Sequence, residues 1–229
     1  MSTVDSACDA VRGTADDQIL TLYGMPTSQA ANFPLDQFVE NLPRQSRYDT
    51  VELSLNRRYS NKWSASIGGA YTWSDDFPAT VANSYPRNPN LPGQLNRTNW
   101  NLKATGSYDA AWGIRISPVM RHQSGLNYAR EISVPASAAT PFGLTMPASV
   151  IYADDTQDNR QDNIWVFDVR AEKTVPMGSR MRARLFLDFF NIANSSASET
   201  ITVTTGTNYQ RPANILGPRT MRLGFRILW

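Results

Sequence analysis

Hydrophobic and polar residues alternate along most of the chain from Tyr48 onward. In residues 63–73 the odd positions are mainly aromatic or aliphatic, and the even positions are small and mostly polar. A helix repeats its environment every 3.6 residues, whereas a strand repeats it every two. The pattern therefore predicts a β-strand with one apolar and one polar face.

The same alternation recurs in six further segments and is clearest at residues 50–56, 99–108, 114–121, 165–172, 182–189 and 221–229. The predicted strands are about ten or eleven residues long, whereas strands of soluble proteins average about 5–6. Such a length is what a tilted strand needs to cross a bilayer.

The charged residues of these segments indicate which environment each face meets. In the strand centres they all fall on the polar set of positions, and the apolar set carries none. We expect cross-strand ion pairs among the charges on neighbouring strands, and in a complete barrel this face would line the channel or contact a folded plug. Its predicted members are Arg115, Asp168, Arg170, Glu172, Arg182, Arg184 and Asp188.

Aromatic residues mark the ends of the predicted strands. Trp63 and Trp73 are ten residues apart, which is about 33 Å of strand and roughly 25 Å of height after a tilt of about 40°. That height matches the apolar band of outer-membrane barrels, which is bounded by two aromatic girdles. The predicted girdles contain Trp73, Trp100, Trp165 and Phe189 at the outer rim, and Trp63, Tyr108, Trp112 and Trp229 at the inner rim.

Short and long connections alternate between the predicted strands. Residues 59–62, 109–112 and 173–179 are short, whereas 74–96, 125–162 and 193–218 are long. Membrane barrels have short periplasmic turns and long extracellular loops. We therefore predict an all-β fold, an antiparallel transmembrane β-barrel segment of about seven meander strands, for residues 48–229. Residues 1–47 are predicted to be a loop-rich, extracellular segment.

Composition excludes several other classes of protein. Charged residues make up 18% of the chain and the mean hydropathy is −0.40. The sequence contains no run of about 18 apolar residues, the length that would predict a transmembrane helix. A net charge of +2 without a basic block gives no reason to expect a nucleic-acid partner. Cys8 is the single cysteine, so no disulfide forms within the chain and a free thiol is expected.

Candidate chemistry is sparse, and we expect neither an enzyme nor a cofactor. His122 is the only histidine, and it occupies an apolar position near a strand end, where an interfacial role is expected. The weak candidate for a metal site is a calcium loop, because carboxylate oxygens are the ligands calcium prefers. Its members would be Asp154, Asp155, Asp158 and Asp162, but the loop lacks the glycine and terminal glutamate of an EF-hand.

The last predicted strand ends on an aromatic residue. Gly224 is followed by Phe225, Ile227 and Trp229 on one face. This arrangement resembles the terminal signal read by the barrel-assembly machinery of the outer membrane. The resemblance implies recognition by strand addition, in which an exposed strand edge templates pairing.

The end of the chain also resembles the end of TonB-dependent receptors. The similar segments are residues 187–194 with the asparagines Asn191 and Asn194, residues 208–219, and residues 48–63 with their arginine pair Arg57 and Arg58. These resemble a branch of the family that carries a carboxypeptidase-regulatory-like domain near its amino terminus. The resemblance covers roughly residues 48–229 and implies energised uptake of a large nutrient across the outer membrane of a Gram-negative bacterium.

The chain departs from that family in several respects. The family has a barrel of about 22 strands with a plugged lumen and a TonB box, whereas seven strands are predicted here without a plug or box. Bacterial barrels close with an even strand number of at least about eight, and no signal peptide is visible. We therefore expect a receptor fragment whose partners are membrane lipid, the barrel-assembly machinery, the missing plug and strands and, through them, TonB. The alternative is a non-transporting surface barrel or adhesin that binds an external ligand through its loops.

Overall fold

The computed structural model describes residues 2–5, 18–21, 23–32, 46–76, 95–146, 148–154, 156–178 and 180–229. Seven of the described strands form one antiparallel sheet, which we call the wall. They are β1 (Arg47–Ser60), β2 (Trp63–Asp76), β3 (Leu95–Asp109), β4 (Ile114–Gln123), β5 (Ile164–Met177), β6 (Met181–Phe190) and β7 (Thr220–Leu228). Their order across the sheet is β7-β6-β5-β4-β3-β2-β1, a simple meander.

The wall confirms the predicted fold class and strand number. Strand register preserves the alternation from strand to strand, because Glu52 pairs with Ala70, Ala70 with Asn101, and Asn101 with Gln123. All charged residues of the predicted polar set therefore share one face of the sheet. The strands have 9 to 15 residues, so several are longer than the predicted ten or eleven.

The strands are staggered as in a tilted barrel wall. Trp100 on β3 pairs with Tyr71, two positions below Trp73 on β2. Trp165 on β5 pairs with His122, and that histidine pairs with Leu102, again two positions lower on β3. A row of paired residues that starts near the inner rim at β1 thus reaches towards the outer rim at β5. Such a stagger accompanies strand tilt in every closed barrel.

The connections alternate as predicted, and the long ones contain structure of their own. The short ones are the turn at Asn61 and Lys62, the 3₁₀ turn Ala111–Gly113, and the turn at Gly178, where φ is +81°. Between β4 and β5 lie hairpins Glu131–Val134 with Ser149–Tyr152 and Asn127–Tyr128 with Asn159–Arg160, and the 3₁₀ helix Ala136–Phe142. Between β6 and β7, Ser198–Ile201 pairs with Pro212–Ile215.

The amino-terminal segment packs against one of these long connections. Met25–Pro26 pairs with Leu144–Thr145, and the Thr27 backbone N–H and hydroxyl both donate to the Gly143 carbonyl, at 2.9 and 3.0 Å. Thr27–Asn32 then forms a 3₁₀ helix, and Ser2–Asp5 pairs with Gln18–Thr21. Residues 2–5 and 18–21 make a hairpin, whereas Cys8 lies outside the described residues.

Apart from Val166 on β5, the buried apolar side chains of the described residues lie in a connection outside the wall. Ile132, Val134, Ala139, Met146 and Ile151 form a small core between β4 and β5. The apolar face of the wall is exposed, for example 79% at Leu53, 76% at Leu223 and 71% at Phe225. A contiguous apolar face of this size marks a surface that lipid or protein covers. None of the described helices is long and apolar enough to cross a membrane.

On the polar face, Gly224 of β7 lies directly beneath the ring of Phe186 on β6. A Cβ atom at position 224 would overlap the Phe186 Cζ and come within 2.6 Å of its Cε2. The two residues are cross-strand partners. The glycine of the predicted assembly signal is therefore also required by packing within the wall.

We predict that Gly224→Ala destabilises the protein by about 1–3 kcal/mol, because overpacking forces the Phe186 ring to move. The measurement is urea unfolding of the purified protein in detergent micelles. Gly68→Ala is the matched control, since its Cβ would meet only the Leu53 carbonyl oxygen, at 3.8 Å. Adding Phe186→Leu to Gly224→Ala should restore most of the loss. Equal effects of the two glycine substitutions would contradict the packing argument.

Candidate functional site

The polar face of β5, β6 and β7 carries a buried carboxylate between two arginines. Asp188 is paired with Arg170 on one side and Arg222 on the other. Arg170 donates to both carboxylate oxygens, at 2.6 Å to Oδ1 and 3.0 Å to Oδ2, and Arg222 donates twice to Oδ2, at 2.7 and 3.0 Å. Asp188 is 3% exposed. Bidentate guanidinium–carboxylate pairs are among the strongest polar contacts in proteins, so this row joins three strands.

Aromatic rings and a second carboxylate extend the row. The Arg170 guanidinium lies 4.8 Å from the centre of the Phe186 ring, and that of Arg222 lies 5.4 Å from the Phe190 ring. Asp168 accepts a hydrogen bond from the Asn191 N–H at 2.8 Å and is 3.3 Å from the Arg121 guanidinium. These carboxylates are matched by cations and are fixed in position.

The asparagines of the 191–194 motif close the outer end of β6. Asn191 and Asn194 have φ of 49° and 51°, a left-handed conformation that asparagine tolerates better than most residues. The Asn191 side chain donates to the carbonyls of Ser195 and Gly217, at 2.9 and 2.8 Å. The Asn194 Oδ1 accepts from the Arg219 N–H at 3.1 Å. The motif therefore joins the end of β6 to the start of β7.

Lower on the same face, cations outnumber carboxylates. Glu172 is 3.6 Å from one nitrogen of Arg184, and Arg184 is directly opposite Arg226. Like charges at opposing positions destabilise a sheet. Arg182 and Arg226 form no ion pair with any described residue. The clefts around these arginines include one of about 390 Å³ beside Phe186 and Gly224.

Below the inner rim, one residue beyond Tyr108 and outside the spanning part of the strands, Asp109 is held by two neighbours. Arg115 donates to its carboxylate oxygens at 2.6 and 3.0 Å, and Tyr59 donates a further hydrogen bond. The Arg115 guanidinium first, and then the Tyr59 hydroxyl, lower the pKa of the Asp109 carboxyl to about 2. This contribution to stability is therefore present above the unfolded pKa of about 4 and is lost as the pH falls towards 2.

On the apolar face, aromatic rings form a continuous belt at the outer rim. Tyr71 stacks on Trp100 at 5.9 Å, the Trp100 Nε1–H donates to the His122 Nε2 at 3.0 Å, and His122 stacks on Trp165 at 3.9 Å. Trp165 in turn stacks on Phe167 at 6.1 Å. His122 therefore lies between two tryptophans near the outer end of β4, and its interfacial role stays a prediction.

The other predicted girdle residues vary in their contacts. Trp73 lies 4.4 Å from Tyr71 and extends the outer belt, whereas Phe189 pairs with Val169 and Met221 outside it. At the inner rim, Trp63 pairs with Tyr108. Trp112 lies at the tip of the turn between β3 and β4, with φ of 60° and 85% of its surface exposed.

The residues of the predicted assembly signal lie on both faces of β7. Phe225, Ile227 and Trp229 are 71%, 39% and 93% exposed, whereas Gly224 lies under the Phe186 ring on the polar face. One edge of β7 pairs with β6, and no described strand pairs with its other edge. The last strand therefore presents an edge to which a further strand can bind.

The calcium candidate remains a prediction. Asp154 accepts a hydrogen bond from Asn159 at 3.5 Å and lies 3.8 Å from the Arg130 Nε, so a cation already faces it. Asp155 lies outside the described residues, and Asp158 and Asp162 belong to the same connection. Within the described part of the chain, no three acidic, histidine or cysteine side chains come together as a metal site.

Sequence reasoning did not single out Arg160, although it organises the outer end of β3. Its guanidinium lies 4.6 Å from the Trp100 ring and donates to the Gly125 carbonyl, the Thr98 carbonyl and hydroxyl, and the Asn127 Oδ1, at 2.6 to 2.8 Å. Arg121 and Arg222 also escaped attention as site residues, although their alternation places them on the polar face. An arginine in a loop has no periodic signal that could have revealed such a role.

We predict that Asp188→Asn destabilises the protein by about 2 kcal/mol, because Arg170 and Arg222 then face each other without a shared anion. This value is reduced from that of a fully buried pair because the arginines are 42% and 58% exposed. Asp49→Asn, in an exposed pair with Arg47, should cost less than about 0.5 kcal/mol. Urea unfolding of both variants in detergent provides the comparison, and a loss at Asp188 no greater than at Asp49 would refute the bridging role.

The sequence matches a known family over most of its length. The family described as TonB dependent receptor-like, beta-barrel, matches residues 9–192. The matched range begins within the segment before β1 and ends before β7, so it differs from the 48–229 range of the resemblance noted above. No curated protein and no solved structure shows a significant match to the chain. The family match and the antiparallel wall together show that this chain belongs to the β-barrel family of TonB-dependent receptors.

Proposed function

We propose that this chain forms part of the wall and extracellular loops of an outer-membrane receptor that takes up a large nutrient with energy supplied through TonB. The observation that supports this proposal most is the family match of the sequence. The wall agrees with it, because it is a meander of tilted strands with one apolar face. Further strands would bind at the edges of β1 and β7, and the plug and TonB box would belong to the same receptor. Members of this family act in the outer membrane.

The placement of the wall in a membrane is supported by its two faces. Leu53, Leu223 and Phe225 are exposed on the apolar face, and lipid would cover a contiguous apolar surface of this kind. The stacked belt from Tyr71 to Phe167 lies towards the outer ends of its strands, where amphipathic rings would meet the head groups. Backbone groups in lipid must be paired, and the ladders between neighbouring strands pair most of those in the wall.

The polar face is proposed to contact the plug. Its unmatched arginines, Arg182 and Arg226, lie low on β6 and β7, where a folded domain inside the lumen would meet them. On β1–β3 the same face has mainly small residues, with Glu52 and Lys103 among them, around a depression of about 620 Å³. A cationic half and an open half of one surface would orient a domain that carries acidic side chains.

The long connections are proposed to recognise the nutrient at the cell surface. The connection between β4 and β5 is ordered by its own core and by the docking of Met25–Pro26. Receptors commonly place binding residues on loops that a rigid scaffold holds. We further propose that the exposed edge of β7 and the residues Phe225, Ile227 and Trp229 are read by the barrel-assembly machinery, and that the receptor belongs to the branch with a carboxypeptidase-regulatory-like domain.

The competing proposal is a surface barrel or adhesin that binds an external ligand without transport. It accounts for the ordered outer connections equally well. It does not account for the arginine excess on the inward face, which has no role in a barrel that only presents loops. An enzymatic role receives no support from any cluster of side chains in the described residues.

We predict that the long connections face the outside of the cell and the short ones the periplasm. In a Cys8→Ser background, Glu199→Cys should react with a membrane-impermeant maleimide on intact cells. Arg180→Cys, in the short turn between β5 and β6, should react only after the outer membrane is permeabilised. Labelling of both positions on intact cells, or of Arg180→Cys alone, would overturn the proposed orientation.

We predict that deletion of the gene abolishes growth on one member of a panel of large nutrients supplied as sole source. The panel contains iron chelates, cobalamin, oligosaccharides and peptides. Loss of TonB should reproduce the defect, and the complementing gene should restore growth only when TonB is present. Unchanged growth on the whole panel, together with lost attachment to surfaces, would favour the adhesin.

A further inference from the structure

The apolar face of the wall contains a groove of about 490 Å³ in its inner half. Its floor is made by Ala65, Ala104, Gly106 and Pro118 on β2, β3 and β4. Its sides are formed by larger residues, namely Trp63 and Tyr108 towards the inner rim and Ile67, Met120 and Phe167 on the opposite side. The strands that form it lie inside the sheet, so strands added at either edge would not cover it.

The floor contains two residues that are unfavourable in a central strand. The ladder between β3 and β4 includes the pairs Thr105–Val119 and Tyr108–Ile116 but neither of the two pairs between them. The gap follows from Pro118, which has no N–H to donate to β3. Proline is ordinarily confined to edge strands, and glycine weakens a strand. Because Gly106 and Pro118 lie opposite each other, the floor of the groove is deeper there and the sheet is less stable. Such a conflict between local sequence and fold is typical of functional sites.

The groove runs diagonally from the inner rim towards the middle of the membrane. Arg57, Ala65, Gly106, Pro118 and Val169 lie in one row across β1–β5. Ala65 is two residues from Trp63 at the inner rim, whereas Val169 is four residues from Trp165 at the outer one. The stagger of the strands thus makes the row rise, over three strand spacings or about 14 Å from β2 to β5. A lipid chain that enters from the periplasmic leaflet runs in the same direction.

An arginine stands at the low end of this row. Arg57 pairs with Ala65, and its guanidinium lies 3.9 Å from the centre of the Trp63 ring. Arg57 is exposed on the face that is otherwise apolar, at the height where a long side chain extends to the membrane interface. Basic groups at this depth attract anionic lipid head groups.

We propose that this groove holds one acyl chain of an anionic phospholipid of the periplasmic leaflet, with its phosphate bound by Arg57. This inference rests on the membrane placement proposed above but not on transport. The concave apolar floor holds the acyl chain, and the Trp63 ring packs beside the carbons nearest the head group. The Arg57 guanidinium pairs with the phosphate. The wall thereby replaces a mobile annular lipid with a fixed one at a point where the ladder is interrupted.

The test uses the protein extracted from its outer membrane in mild detergent and returned to phosphatidylcholine vesicles. A trace of phosphatidylglycerol with a photoactivatable diazirine in its acyl chain is added and irradiated, and labelled peptides are mapped by mass spectrometry. We expect saturable labelling at Ala104, Met120 and Phe167. Unlabelled phosphatidylglycerol should compete about fivefold better than phosphatidylcholine, the factor that about 1 kcal/mol of head-group attraction gives.

Two variants separate the parts of the proposal. Ala104→Leu fills the groove and should abolish saturable labelling, whereas Ala183→Leu, also on the apolar face but on β6, should leave it unchanged. Arg57→Gln should remove the preference for phosphatidylglycerol over phosphatidylcholine and retain labelling of the groove. Uniform labelling along the apolar face, insensitive to Ala104→Leu, would show ordinary annular lipid and overturn the proposal, as would contact of the groove with a second copy of the protein.

The outcome is independent of the transport experiment. A protein absent from the outer-membrane fraction would remove the shared premise before any labelling is attempted. Saturable labelling in a protein that supports no nutrient uptake would leave the groove established and the transport proposal refuted. Surface topology and uptake as predicted, with no saturable labelling, would refute the groove alone.

Discussion

The structure depends on one constraint, which is that a backbone placed in hydrocarbon must satisfy its polar groups within the sheet. Because lipid offers no hydrogen bonds, each strand must lie in register with its neighbours over nearly its whole length. Register in turn fixes which side chains lie on each face, since a slip of one residue would move the arginines of that strand from the polar face into lipid. The ladders that join β1–β7 and the separation of charged from apolar residues in the strand centres therefore follow from the same requirement.

Within that frame, the arginine–carboxylate rows supply the specificity that apolar contacts to lipid cannot. An apolar side chain gains little from one register over another when both neighbours are lipid tails. Asp188, held by Arg170 and Arg222, fits only one alignment of β5, β6 and β7. The Phe186 ring over Gly224 has the same effect through shape. Ion pairs and packing on the inward face therefore set the register of these strands, since apolar contacts with lipid on the outward face do not distinguish one register from another.

The sequence predicted the wall well because its three signals are local and independent of one another. They are the alternation of apolar and polar positions, the strand length, and the alternation of short and long connections. Seven segments and their order of short and long connections followed from the sequence. It predicted the partners of the charged residues less well, since Asp188 and Arg222 are separated by 34 residues and meet only through a register set by the whole strand. The core of the β4–β5 connection escaped prediction because Ile132, Val134 and Ile151 belong to short strands that give too few repeats. The role of Arg160 depends on a fold that brings it back to Thr98, which no local pattern records.

The connection between β4 and β5 has a core separate from the wall, and this has an evolutionary consequence. Ile132, Ala139 and Ile151 support the outer surface without contributing a residue to the membrane-spanning ladders. Substitutions on that surface can accumulate while the spanning strands remain under their own, unrelated constraints. In a receptor oriented as proposed above, a lineage can therefore change the surface that this connection presents while it keeps the spanning strands unchanged.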